Sequence, residues 1–120
     1  MARIAFQLRL KADKISDYDL AHRNVWPELL AEMESFGITD YSIFRRGQQL
    51  FLLMHVHDFE QTKKDLAASD INRRWQQTMA PFFEPLPDLA PGETYAMMEE
   101  IFFMSGRKTP SATAAKGPTE

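Results

Sequence analysis

Hydrophobic and polar residues alternate near the start of the chain. Ile4, Phe6, Leu8 and Leu10 fall on one side, and Arg3, Ala5, Gln7 and Arg9 on the other. A period of two is that of a strand with one face buried. Helical spacing follows, opened by Ser16 or Asp17, either of which can offer a side-chain oxygen to free backbone N–H groups. It runs to about Ser35 and stops at Gly37, a natural helix end. Pro27 lies inside this stretch. It predicts a kink, or a break in which Pro27 opens a new turn. Tyr41, Ile43 and Arg45 then alternate with Ser42, Phe44 and Arg46 as a second strand. Gly47, Gln48 and Gln49 turn the chain into a third strand, Leu50 to about His57, so the pair reads as a hairpin. Residues 59–83 return to helical spacing in two pieces, the second capped by Ser69 or Asp70 and carrying Trp75, Met79 and Phe82 on its apolar side. Pro85, Pro87 and Pro91 mark residues 84–92 as a loop. Tyr95 to Met104 reads as a last strand, rich in Met and Phe as though both faces were covered and packed in a core.

The order is β-α-β-β-α-β, the split pattern of a ferredoxin-like α+β fold. Helices then cover one face of an antiparallel sheet and leave the other bare. That bare face needs a cover. A second copy of the chain, in a dimeric α/β-barrel-type assembly, supplies one; a cup closed by a ligand is the other solution. Residues 1–104 form a single domain, and 105–120 turn to Ser, Thr, Ala, Lys, Gly and Pro, the composition of a flexible tail.

Composition narrows the function classes. The 120 residues suit one domain with a thin core, which association would help. The net charge of −3 is small, and the 14 Lys and Arg are scattered rather than banked into a stripe, which argues against nucleic acid as a partner. The absence of cysteine excludes disulfides and thiolate nucleophiles. Arg3, Gln7 and Arg9 interrupt any signal-peptide pattern, and no apolar run approaches the roughly 20 residues needed to span a bilayer. A soluble, cytoplasmic protein with no membrane partner is expected.

Candidate chemistry lies in the first helical stretch. Tyr18, His22 and Trp26 recur at intervals of four, which stacks them on one strip if the helix is continuous. Such a strip has two readings. It packs as core against the sheet, the role assigned to Trp26, or it presents a phenol, an imidazole and an indole to a sugar. Aromatic faces take C–H surfaces, and the polar groups bond to hydroxyls. Other polar groups offer less. His55 and His57 project from one side of the third strand but lack a third ligand, so no metal site is expected. Glu28, Glu32 and Glu34 read as a solvated helix side, and Glu99 and Glu100 point to opposite sides of their strand.

The run Tyr18-Asp-Leu-Ala-His22-Arg-Asn-Val-Trp26-Pro27-Glu28-Leu29 resembles the L-rhamnose mutarotase family. The resemblance continues through Gly37-Ile-Thr-Asp-Tyr41-Ser-Ile43, Leu50-Phe51, Ala68-Ser69-Asp70, Arg74-Trp75 and Glu100-Ile-Phe102, and so covers about residues 3–104. It implies a dimeric ferredoxin-like fold acting on L-rhamnose without metal or cofactor. It also implies that His22 is the catalytic acid/base and that Tyr18 and Tyr41 bind the sugar. Trp75 and Gln76 stand where the family often carries two adjacent tryptophans, so Gln76 brings a hydrogen-bonding amide in place of a stacking surface. L-fucose, another 6-deoxy-L-hexose, is therefore an alternative substrate.

Mutarotation matches this equipment. The anomeric O1–H loses a proton, the ring oxygen gains one, the open aldehyde rotates, and the ring closes on its other face. Protons move both ways, and imidazole is the natural shuttle near neutrality. Tyr18, Tyr41 or a water is the group opposite His22. Two rival readings share the fold: a small cofactor-free monooxygenase, and a ligand-binding dimer without catalysis.

Overall fold

The alternation of Ile4, Phe6, Leu8 and Leu10 becomes one face of a strand because each faces an apolar partner across the next strand. In the computed structural model, which describes residues 2–93 and 96–106, β1 (Ala2–Leu10) pairs antiparallel with β3 (Gln49–Val56). Ile4, Phe6 and Leu8 lie opposite Met54, Leu52 and Leu50. On its far side β3 pairs antiparallel with β2 (Ile38–Arg46). The other edge of β1 is shared. β4 (Phe83–Glu84) lies against Leu10 and Arg9, and β5 (Ala96–Met98) lies against residues 5–7. The sheet order is β2-β3-β1-β4, with β5 also on β1, as a ferredoxin-like β-α-β-β-α-β chain requires.

Each helical stretch is two helices. The first divides into α1 (Ile15–Ala21) and α2 (Pro27–Ser35), the second into α3 (Phe59–Ala68) and α4 (Asp70–Met79). Of the two outcomes expected at Pro27, the break is the one found. Proline lacks an N–H and forces the preceding residue out of the helical region. Trp26 accordingly sits at φ −58°, ψ 126°, and α2 starts at Pro27. The strip expected along one continuous helix is thus divided: Tyr18 is on α1, His22 is at its end, and Trp26 precedes α2. Neither Ser16 nor Asp17 caps α1. A 3-10 turn over Ala12–Lys14 feeds straight into the helix and puts both residues inside its first turn. Capping does occur later, where Asp58 accepts from the Gln61 amide and Ser69 from the Asn72 amide.

The core lies between the sheet and the helices. Phe6, Leu10, Leu50, Leu52, Met54 and Val56 bury against Leu29 of α2 and Trp75 and Met79 of α4. Fully buried Thr62 donates to the Phe36 carbonyl at 2.7 Å, tying α3 to the end of α2. There Gly37, at φ 96°, turns the chain into β2 in a conformation that residues with a Cβ rarely adopt. Helix cover stops short of the sheet edge. Tyr41, Ile43 and Arg45, opposite Met54, Leu52 and Leu50, share the helix side of the sheet yet remain exposed.

The last strand is shorter than its sequence implies, and its apolar residues are not core. Pairing with β1 ends at Met98, and Met97, Met98 and residues 101–104 are exposed. No further strand lies beside them among the described residues, so the pattern that suggested two covered faces meets solvent. Arg3 holds the segment. It donates from Nε to Glu100 at 2.7 Å and lies 3.3 Å from the centre of the Phe103 ring. Glu84, read as loop, belongs to β4 and accepts from Arg9 at 2.6 Å. The tail assigned to 105–120 lies, from residue 107 onward, outside the described residues. No helix among the described residues is long and apolar enough to cross a membrane.

Candidate active site

The break before Pro27 places His22 at the free end of a seven-residue helix. Its backbone N–H reaches the Tyr18 carbonyl at 3.2 Å, and its Nδ1 lies 3.0 Å from the same oxygen. A carbonyl oxygen only accepts, so Nδ1 carries the hydrogen. In the neutral ring this leaves the lone pair on Nε2, the nitrogen available for proton exchange.

Aromatic rings surround the imidazole although their helix is divided. The Tyr18 ring centre lies 4.2 Å from that of His22, and the indole of Trp75 meets His22 edge-on at 5.5 Å. Trp26 meets Trp75 edge-on at 5.1 Å, and Phe83 meets Tyr18 at 5.8 Å. Trp75 is therefore the ring that reunites His22 with Trp26. Its own placement comes from α4, whose N-terminus is fixed twice. Asp70 accepts from Arg74 at 2.9 and 2.7 Å and also pairs with Arg73. Ser69 is buried and donates to Glu32 of α2. Glu32 is thus not on a solvated helix side, because its carboxylate serves as the tie between α2 and α4.

Burial sets the state of the phenol. Tyr18 is 4% exposed, and loss of solvent, with a smaller push from the Asp19 carboxylate, drives its ionisation well above the usual tyrosine range. It stays a neutral O–H across ordinary pH. Beside it, Asp19 accepts from Arg45 Nε at 2.9 Å and from a terminal guanidinium nitrogen at 2.7 Å. That bond is the main reason the Asp19 carboxyl is held below its ordinary range, with Arg45, Arg23 and His22 charges adding to it.

Tyr41 enters from the sheet. It borders a groove of about 480 Å³ between α2 and β2, with Leu30, Met33, Glu34, Ile38 and His57 among its walls. Gln76 follows Trp75 but is exposed, and its amide donates to Asn72 Oδ1 at 3.4 Å. The structure thus gathers Tyr18, His22, Trp26 and Trp75 into one aromatic group. It sets Tyr41 on the helix side of the edge strand and Gln76 on the outer side of α4. The two strand histidines are separated in role. His55 lies 3.7 Å from Asp40, whereas His57 falls beyond β3 and donates its N–H to the Gly37 carbonyl. No three His, Cys, Asp or Glu among the described residues are grouped to hold a metal ion. The Asp19–Arg45 pair and the packing of Phe83 on Tyr18 had no local signal. Only the shared parity of Tyr41, Ile43 and Arg45 placed Arg45 on the helix side.

Known proteins match most of the chain. The family model described as L-rhamnose mutarotase matches residues 3–104. An L-rhamnose mutarotase of Oceanobacillus iheyensis is 33% identical over 106 residues, covering 87% of this chain and 99% of that protein. An L-fucose mutarotase of Xanthomonas campestris is 36% identical over 114 residues, covering 88% of this chain and 90% of that one. Among solved structures, an L-rhamnose mutarotase from Formosa agariphila superposes with a TM-score of 0.72 at 30% identity, covering 88% of this chain and 100% of that one.

Proposed function

This chain belongs to the L-rhamnose mutarotase family, and from that membership and the geometry around His22 we propose that it interconverts the α and β anomers of a 6-deoxy-L-hexose, L-rhamnose or L-fucose. The observation that carries the mechanism is the bond from His22 Nδ1 to the Tyr18 carbonyl, which leaves Nε2 to exchange protons.

In the forward sense, Nε2 takes the proton of the anomeric O1–H while a second group delivers one to the ring oxygen. The C1–ring oxygen bond breaks as C1 becomes an aldehyde. Rotation about C1–C2 exposes the other carbonyl face. The ring hydroxyl then attacks it, losing its proton as O1 regains one, so no net atom or electron is transferred. The neutral Tyr18 phenol, the Tyr41 phenol or a water supplies the second proton. Acid/base assistance of this kind contributes roughly 10²–10⁴-fold. Trp75 offers an apolar surface to the sugar's C–H face, and Tyr18, Tyr41 and Gln76 offer hydrogen bonds.

The same reading carries a homodimer in the cytoplasm. Ala5, Phe44, Phe51, Leu53 and Met98 share the sheet face away from the helices, and Phe102 and Phe103 are exposed near its edge. An apolar face of this kind is suited to a second copy. Light scattering at micromolar concentration should give the dimer mass, and a monomer there counts against it. The activity itself is tested by proton NMR saturation transfer between anomers across a panel of L-sugars. Exchange with L-rhamnose or L-fucose well above the spontaneous rate is the expected result. Oxygen uptake with aromatic substrates, or anomer exchange unaffected by the protein, would return the rival readings.

A further inference from the structure

We propose that Asp19 and Arg45 are a positioning pair for the reaction: Arg45 on β2 clamps both carboxylate oxygens of Asp19 on α1 and thereby fixes where His22 sits above the sheet. The inference rests on the mutarotase reading and goes one step beyond it.

The case begins with the weakness of α1. It has seven residues, no side-chain cap at its N-terminus, and one buried residue, Tyr18. A helix this short holds its shape only through outside contacts. Its C-terminal end is the break before Pro27, so α2 does not extend it. Burial of Tyr18, with half-buried Ile15 and Ala21 packed against the core, attaches the apolar side of the helix. The Arg45 fork provides a second attachment, through two bonds of 2.9 and 2.7 Å. A planar guanidinium matched to a carboxylate fixes direction as well as distance. Arg45 is itself oriented by a bond to the Gly47 carbonyl at 3.1 Å, at the turn joining β2 to β3. Asp19 is three residues before His22, so the two are neighbours on the helix surface and move together.

The pair is exposed, so its contribution to global stability is small. Its effect on the reaction is large for a different reason. Displacing a catalytic group by about 1 Å costs on the order of 10²-fold in rate. Loss of the fork therefore lowers turnover while groups on α4 and β2 continue to hold the sugar.

The test is saturation-transfer NMR with L-rhamnose and L-fucose over a range of concentrations, on wild type, Arg45→Gln, Arg45→Lys, Asp19→Asn and the Asp19→Asn/Arg45→Gln double variant. Melting curves are recorded on the same samples. Positioning predicts a kcat loss of about tenfold or more in each single variant, a KM near that of wild type, and a melting temperature within a few degrees. Arg45→Lys keeps the charge but loses the fork, so it should be as impaired as Arg45→Gln, and the double variant no worse than the weaker single. Arg45→Lys at wild-type kcat overturns the proposal and assigns any effect to charge alone. A loss carried by KM, or one that follows a large fall in melting temperature, overturns it also. A wild type that exchanges neither sugar overturns the mutarotase reading itself. That result is distinct from an active wild type whose Arg45 variants are unimpaired.

Discussion

Replacing His22 by Asn separates the chemistry from the fold. Its side chain makes one hydrogen bond, from Nδ1 to the Tyr18 carbonyl at 3.0 Å, and two ring contacts, at 4.2 Å to Tyr18 and 5.5 Å to Trp75. The bond contributes about 0.5–1.5 kcal/mol and each ring contact a similar amount. Asparagine can place an amide donor near the old Nδ1 position, so the net loss should be about 1–3 kcal/mol. That is a fraction of the roughly 5–15 kcal/mol that holds a domain folded. The melting temperature should fall by roughly 3–15 °C, leaving a folded protein at 25 °C. The rate should respond far more. An acid/base group supplies about 10²–10⁴-fold, which is about 2.7–5.4 kcal/mol of barrier at about 1.36 kcal/mol per tenfold. Saturation transfer between the anomeric protons of L-rhamnose measures the exchange, and circular dichroism on the same sample measures folding. If the folded variant exchanges anomers at the wild-type rate, His22 is a structural residue, and the proton carriers must be sought at Tyr18 and Tyr41.

Three further outcomes are expected. Trp75→Ala removes a buried indole that joins His22 to Trp26, so chemical denaturation should show a loss of about 3–5 kcal/mol, with exchange lost in parallel. Asp19 is held below the usual carboxylate range by Arg45, and Asp70 by Arg74 and Arg73. Their stabilisation should be complete above about pH 4 and disappear as pH falls through their lowered folded-state values; urea titrations between pH 7 and 2 should show that slope flattened in Arg45→Gln and Arg74→Gln. Gln76 is exposed, so Gln76→Trp should leave the melting temperature near wild type while changing the ratio of L-rhamnose to L-fucose exchange; a folded variant with an unchanged ratio removes Gln76 from the sugar site.

What the sequence made legible follows the range of the forces involved. Period-two alternation in β1, β2 and β3 and the capping residue Ser69 act over a few neighbours, and each was readable locally. Pro27 signalled an interruption, but whether the helix bends or breaks depends on what packs on either side of residues 22–26. The spacing of Tyr18, His22 and Trp26 held for its first pair, which meets at 4.2 Å along α1, and failed for Trp26, beyond the break. Trp26 rejoins the group through Trp75 from another helix rather than along a continuous one. Long-range polar partners left no periodic trace. Glu32 looked like a solvated acid until Ser69 met it, and Asp19 and Arg45 are 26 residues apart. The Met- and Phe-rich end of the chain shows the opposite limit. Apolar composition there is obvious, but composition does not say which surface covers it.

The two tryptophans of the chain, Trp26 and Trp75, stand edge to face at 5.1 Å, and Trp75 also meets the His22 ring. All indole emission of the protein therefore originates beside the imidazole. On the proposed reading, a sugar bound against Trp75 alters the surroundings of both fluorophores at once, and no other indole dilutes the signal. The chain carries its own optical reporter. A fluorescence titration of the unmodified protein reads occupancy directly, and the same titration in His22→Asn separates the response to the sugar from the response to the imidazole.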